Sequence, residues 1–128
     1  FGVRDAARAR AIAQDADASG SEQLRDIAEV SSVEIITSAC VHLMSAAAVK
    51  VGLAEDEESG QYQDLAEARK LINALAGLVT AAAPEIGNEH ARSLRDGLRS
   101  LQLAFAEALL FPDAPGEAPG EKYTGRVS

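Results

Sequence analysis

The alternation of apolar and polar positions sets one stretch apart from the rest. From Ser31 to Gly52 the chain reads SSVEIITSACVHLMSAAAVKVG, and no side chain between Ile35 and Val49 carries a full formal charge. The pattern predicts a helix over 32–51, and both of its ends are marked. Ser31 and Glu34 have the spacing of a capping box, with Val30 and Ile35 at the hydrophobic-staple positions. Lys50 falls in the last turn, and Gly52 supplies a left-handed stop. Glu34, Ser38, His42 and Ser45 follow one narrow polar stripe. The remaining arc is apolar or small and wide enough to be contacted on more than one side. The uncharged run is shorter than the roughly 20 residues a bilayer span takes, and it carries His42 and several hydroxyls. The expectation is a buried core or oligomer helix and no membrane.

Two further segments carry helical periodicity. Leu65, Ala68, Ile72, Leu75, Val79 and Ala82 recur at spacings of three and four, the form of a heptad seam. Leu71 and Leu78 widen that seam, Asp64 and Glu67 cap its start, and Pro84 is expected to stop it, giving a helix over 65–83. After the short connection PEIGN, with Asn88 as N-cap, Ala91, Leu94, Leu98, Leu101, Phe105 and Ala108 repeat the spacing over 89–110. Matched seams joined by a short turn predict an antiparallel hairpin. Gly97, between Leu94 and Leu98, invites a close approach. The fold class is therefore all-α: a three-helix core with an antiparallel helical hairpin. The organisation is a flexible or partly helical segment over 1–30, a helical domain over 31–110 and an extended Pro/Gly tail over 111–128.

The flanking segments are less patterned. Phe1 to Ser19 is Ala-rich and charged, with Val3, Ala7 and Ala11 on one side, and reads as a frayed helix or disorder. Arg4, Arg8 and Arg10 read as a solvated face rather than a basic arm. Gly20 to Val30 is a linker or short helical turn with Leu24 and Ile27 as its apolar contacts. Leu53 to Gln63 is an acidic connection. Its resemblance to a calcium loop fails, because counting from Glu55 puts Ala66 where a bidentate Glu is needed. In the tail, Pro112, Pro115 and Pro119 argue against helix, and DAPGE at Asp113 is echoed by EAPGE at Glu117. Composition favours disorder there. The alternative is a peptide that docks, with Phe111 and Tyr123 as anchors.

Composition narrows the function classes. The chain has 128 residues, enough for one domain. Alanine is about a fifth of it, aromatics are 4%, and there is no Trp, so a core of small side chains buries modest area and points to self-association. A net charge of −8 is the opposite of what a free-standing DNA binder carries. One cysteine, Cys40, leaves no intramolecular disulfide and fits a reducing, cytoplasmic setting. Nothing in Phe1 to Gly20 has the form of a signal peptide.

No catalytic residue, cofactor or metal is expected. Cys40 and His42 point about 200° apart on a helix and cannot share a metal, and His90 lies on another helix. Cys40 reads as an inert core thiol, with no basic group one turn away. There is no P-loop, no Rossmann glycine pattern and no helical Glu-x-x-His pair. Arg92, Arg95 and Arg99 line one helix face. They read either as an acid- or phosphate-binding stripe or, preferentially, as partners of Glu89 and Asp96 three residues earlier. The stripe is also placed to receive the acidic tail.

The segments VEIITSACVHLMSAAAVKVGL, DLAEARKLINALAGLVTAAAPEIG and LRDGLRSLQLAFAEA together resemble the uncharacterised family known as domain of unknown function 1844, over about Val33 to Gly125. The tail DAPGEAPGEKYTG resembles its actinobacterial members. The resemblance implies a small, cytosolic, all-helical protein and supplies no activity, cofactor or site residue. It also implies gene neighbours among a translation initiation factor and ribosomal proteins, an association without a mechanism. The leading expectation is a non-enzymatic interaction or assembly protein that forms a homo-oligomer, with Arg92, Arg95, Arg99, Phe111 and Tyr123 as candidate interaction residues. The alternatives are a translation-linked regulator binding ribosomal components and a small-ligand-binding helical domain.

Overall fold

A computed structural model describes residues 21–53 and 62–127, and every regular element among them is a helix: α1 (Ser21–Glu29), α2 (Ser32–Val51), α3 (Leu65–Ile86), α4 (Asn88–Ala108) and α5 (Glu121–Thr124). The expectations for Phe1 to Ser19, with Arg4, Arg8 and Arg10, and for most of the acidic connection lie outside the described residues. The chain divides into two units, one ending at Ile35 and one beginning at Ile36. In the first, α1 replaces the expected linker or turn with a nine-residue helix whose Ile27 is exposed.

The marked ends of α2 form as the local chemistry requires. Ser31 Oγ accepts the Glu34 N–H at 3.2 Å. At the exit Gly52 takes φ 101°, a conformation L side chains avoid. Its N–H donates to the Val49 carbonyl at 3.1 Å, and the Leu53 N–H reaches back to Ala48 at 2.9 Å, the two bonds of a Schellman stop. The carbonyls of Lys50 and Val51 accept from the Asp64 N–H at 2.8 Å and from Gln63 Nε2 at 2.9 Å. The residues that start α3 thus complete the end of α2.

The hairpin is built from the two predicted seams. Asp64 Oδ1 caps α3 through the Glu67 N–H at 3.1 Å. Ala68, Ile72, Leu75, Val79 and Ala82 are buried on α3, against Ala91, Leu94, Leu98, Leu101 and Phe105 on α4. Each large side chain removed from water contributes roughly 1.5–3 kcal/mol. Two ends differ from the sequence expectation. Pro84 does not stop α3, which runs to Ile86. Proline removes one donor and crowds the carbonyl four residues back, but the buried Ile86 holds the last turn down. Gly87 alone joins the helices at φ 90°, and Asn88 lies inside α4 without a side-chain cap. At the other end α4 stops at Ala108 and not at 110. Leu109 is extended, and the exposed Leu110 offers no burial to draw another turn inward.

The tail departs most from expectation, being neither extended nor disordered over its described length. Ala114-Pro115-Gly116-Glu117 and Ala118-Pro119-Gly120-Glu121 form successive turns, closed by the Glu117 N–H on Ala114 at 3.0 Å and the Glu121 N–H on Ala118 at 3.1 Å. Both glycines take positive φ, 84° and 81°, as a type II turn requires after Pro. The short helix α5 follows. The buried Glu121 carboxylate then ties the segment to itself. Oε1 accepts the N–H groups of Gly116 and Ala118, both at 3.1 Å, and Oε2 accepts that of Val127 at 2.9 Å.

Candidate functional site

Two surfaces of the second unit stand out. The first is the outer face of α2. Only Cys40, Ala47 and Val51 of its twenty residues are buried. Met44 extends the same stripe, its methyl lying 2.7 Å from where a Cβ on Gly97 of α4 would sit, which is the close approach that glycine permits. The expectation of a buried core or oligomer helix is therefore corrected as to the core: three residues are buried, eight are half-buried and nine are exposed. Across the helix, Ala39, His42, Ala46, Val49 and Leu53 recur at spacings of three, four, three and four. Val49 is 39% exposed and Leu53 50%. Thr37, Ser38, Val41, His42 and Ser45 line a shallow groove beside this row. By length and composition alone, the twenty residues of α2 are also long and apolar enough to cross a membrane.

The second surface is a cleft of about 400 Å³ between α3, α4 and the tail. Val79 and Leu98 contribute to its lining, together with Arg95, Asp96, Arg99, Tyr123, Arg126 and Val127. The tail is fixed there by contacts that sequence reasoning missed. Asn73 Oδ1 accepts the Gly120 N–H at 2.7 Å, and the buried Gln102 donates through Nε2 to the Pro119 carbonyl at 3.0 Å and to Thr124 Oγ1 at 3.2 Å. Arg69 pairs with Asp113 at 3.0 Å while its guanidinium lies 5.0 Å from the Phe105 ring centroid. The repeated Ala-Pro-Gly-Glu was the available signal, since Pro followed by Gly specifies a turn.

The predicted site residues separate. Arg95 and Arg99 reach the cleft, and Arg92 is not among its lining residues. Among the described residues none of the three forms an ion pair with Glu89 or Asp96, so the preferred intrahelical pairing is not realised. Exposed pairs of this kind gain too little to hold two long side chains together. The tail does arrive beside Arg95 and Arg99, but it brings Arg126 rather than an acid. Two of its three carboxylates are used elsewhere, Asp113 on Arg69 and Glu121 on the tail backbone. Tyr123 packs over Gly77 and walls the cleft. Phe111, expected as an anchor, is 79% exposed, and the buried Pro119, Gly120 and Glu121 anchor the tail instead.

Cys40 is a free, buried thiol whose burial pushes its pKa up, away from the reactive thiolate. Among the described residues no three of His, Cys, Asp and Glu come together as a metal site.

A family model described as a domain of unknown function (DUF1844) matches residues 32–107, more than half of the chain. The chain belongs to this family. The match takes in α2, α3 and nearly all of α4 and stops short of the tail turns. No curated protein and no solved structure matches the chain.

Proposed function

We propose that this DUF1844 protein is a non-enzymatic assembly protein that works by self-association through the outer face of α2. The observation that carries the reading is the row Ala39, His42, Ala46, Val49 and Leu53, exposed except for the half-buried Ala46. An apolar helix face left open to water is unfavourable, and this one has the three–four spacing by which helices pair.

The row is complementary to itself. In an antiparallel pair centred at Met44, Ala39 meets the partner's Val49 and His42 meets the partner's Ala46. Both of these layers set a small side chain against a large one, and Leu53 at the end of the row meets the partner's Ile35. A parallel pair would instead stack alanine on alanine and histidine on histidine. No formal charge lies between Ile35 and Val49, so over that stretch two copies of net charge −8 meet where neither carries a charge; Lys50 follows at the end of the row. A helix of this length buries on the order of 1,000 Å² in such a pair, the low end for specific interfaces.

A bilayer fits the same face less well. The Cys40, Ala47 and Val51 stripe is already covered, and the hairpin beside it exposes Arg92, Arg95, Asp96 and Arg99. A spanning α2 would either drag those charges into lipid or shed its own packing.

Light scattering coupled to size exclusion tests the reading. The full chain should shift from monomer to dimer across micromolar concentration, and Val49→Glu should hold it monomeric with unchanged helical content. A monomer at every concentration, or flotation of the full chain with lipid vesicles, would refute it.

A further inference from the structure

We infer that the cleft between α3, α4 and the tail binds a small organic phosphate monoester. The charge pattern is the first argument. Arg95 and Arg99 on α4 and Arg126 from the tail converge on one cleft with Asp96 as the single carboxylate among its lining residues. Among the described residues no ion pair engages any of the three arginines. Within the cleft's lining, three guanidinium groups against one carboxylate leave an excess of two positive charges, in a chain whose net charge is −8; Arg126 also lines a second hollow with Asp113 and Glu121, whose carboxylates are engaged by Arg69 and by the tail backbone. Like charges gathered in excess repel one another, and a dianion relieves that repulsion. A phosphate monoester carries about −1.5 to −2 at neutral pH and offers three acceptor oxygens, which suits the forked donors of several arginines.

The form of the cleft supplies the second argument. Its volume of about 400 Å³ exceeds what a bare phosphate fills and lies within the range of small-molecule sites. Val79, Leu98 and Val127 supply apolar lining, and Tyr123 forms a wall. The ligand therefore has an apolar or aromatic body as well as an anionic head. The walls are also held in place. Gln102 fixes Pro119 and Thr124, while Glu121 fixes Val127 next to Arg126, so the segment carrying the third arginine is positioned before any ligand arrives. The acidity of the whole chain argues against a nucleic-acid strand as the occupant.

Calorimetric titration of the full chain tests the proposal, with phenyl phosphate and adenosine 5′-monophosphate as probes and inorganic phosphate, adenosine and succinate as comparisons. At least one monoester should bind, about tenfold or more tightly than any comparison. Arg95→Ala and Arg99→Ala should each weaken it by about tenfold or more while circular dichroism stays unchanged, and Arg99→Lys should recover only part of the loss. Arg92→Ala, on the same helix outside the cleft, should leave binding intact. The proposal is overturned if neither monoester binds at millimolar concentration, or if succinate, a phosphopeptide or single-stranded RNA binds more tightly than both. It is overturned equally if the arginine substitutions leave affinity unchanged. None of these variants touches the α2 row, so their dimerisation should match that of the unaltered chain.

Discussion

Two single residues show how local chemistry fixes a larger feature. A Cβ on Gly120 would lie 2.8 Å from Gln102 Nε2 and 3.0 Å from the Ala76 Cβ, at φ 81°. Only glycine lets the backbone approach α3 and α4 that closely, and the Asn73 and Gln102 bonds depend on that approach. Cys40 is the other. Because its thiol pKa is raised by burial, the unfolded chain loses that proton first as pH rises. Above the ordinary thiol value of 9.0 the folded state holds more protons than the unfolded one, and stability falls with rising pH. Below that value the group contributes no pH dependence. Urea unfolding between pH 8 and 10 should show this alkaline decline, and Cys40→Ala should flatten it. Ellman's reagent should react slowly with the folded chain and rapidly once it is unfolded.

At the scale of elements, the three main helices were legible because each has a strong period and chemical punctuation. Ser31 and Gly52 bounded α2 to the residue, and ten of the twelve seam positions, all but Leu65 and Ala108, need no further argument than their three–four spacing: the seam residues from Ala68 to Ala82 and from Ala91 to Phe105 are buried. The errors came where a local rule competed with a tertiary contact. Pro84 is a helix breaker by its own chemistry, yet the burial of Ile86 carries α3 two residues past it. The backbone cost of that proline remains in the folded state. Pro84→Ala should restore a donor to the last turn and raise stability, by up to about 3 kcal/mol, measurable as a higher midpoint in urea. The tail was misread for a related reason. Its composition is that of a disordered segment, and what orders it is Glu121 accepting backbone N–H groups five residues before it and six after it, together with Asn73 and Gln102. No period reports such contacts. The cleft was legible only in part: Arg95 and Arg99 were visible on one face, but Arg126 joins them only because the tail folds back.

At the scale of the molecule, the tail and the outer face of α2 are separable. Among the described residues, the contacts that anchor the tail fall on α3, on α4 or within the tail itself, through Arg69, Asn73 and Gln102, and none involves Ala39, His42, Ala46, Val49 or Leu53. The hairpin seams on α3 and α4 are buried and contain no residue of the tail. Removing residues 113–128 should therefore cost stability without abolishing the fold. The loss should be about 2–4 kcal/mol, since it deletes one partly buried ion pair, three hydrogen bonds between tail and hairpin and the burial of Pro119. It also removes Arg126, Tyr123 and Val127 from the cleft, so binding of a phosphate monoester should vanish. Dimerisation should persist, because the row on α2 is untouched. Urea unfolding, calorimetry and light scattering on that one variant read the three consequences independently. A truncated chain that is folded yet monomeric would move the self-association surface from α2 to the tail. One that still binds the monoester would confine the ligand to the groove between α3 and α4.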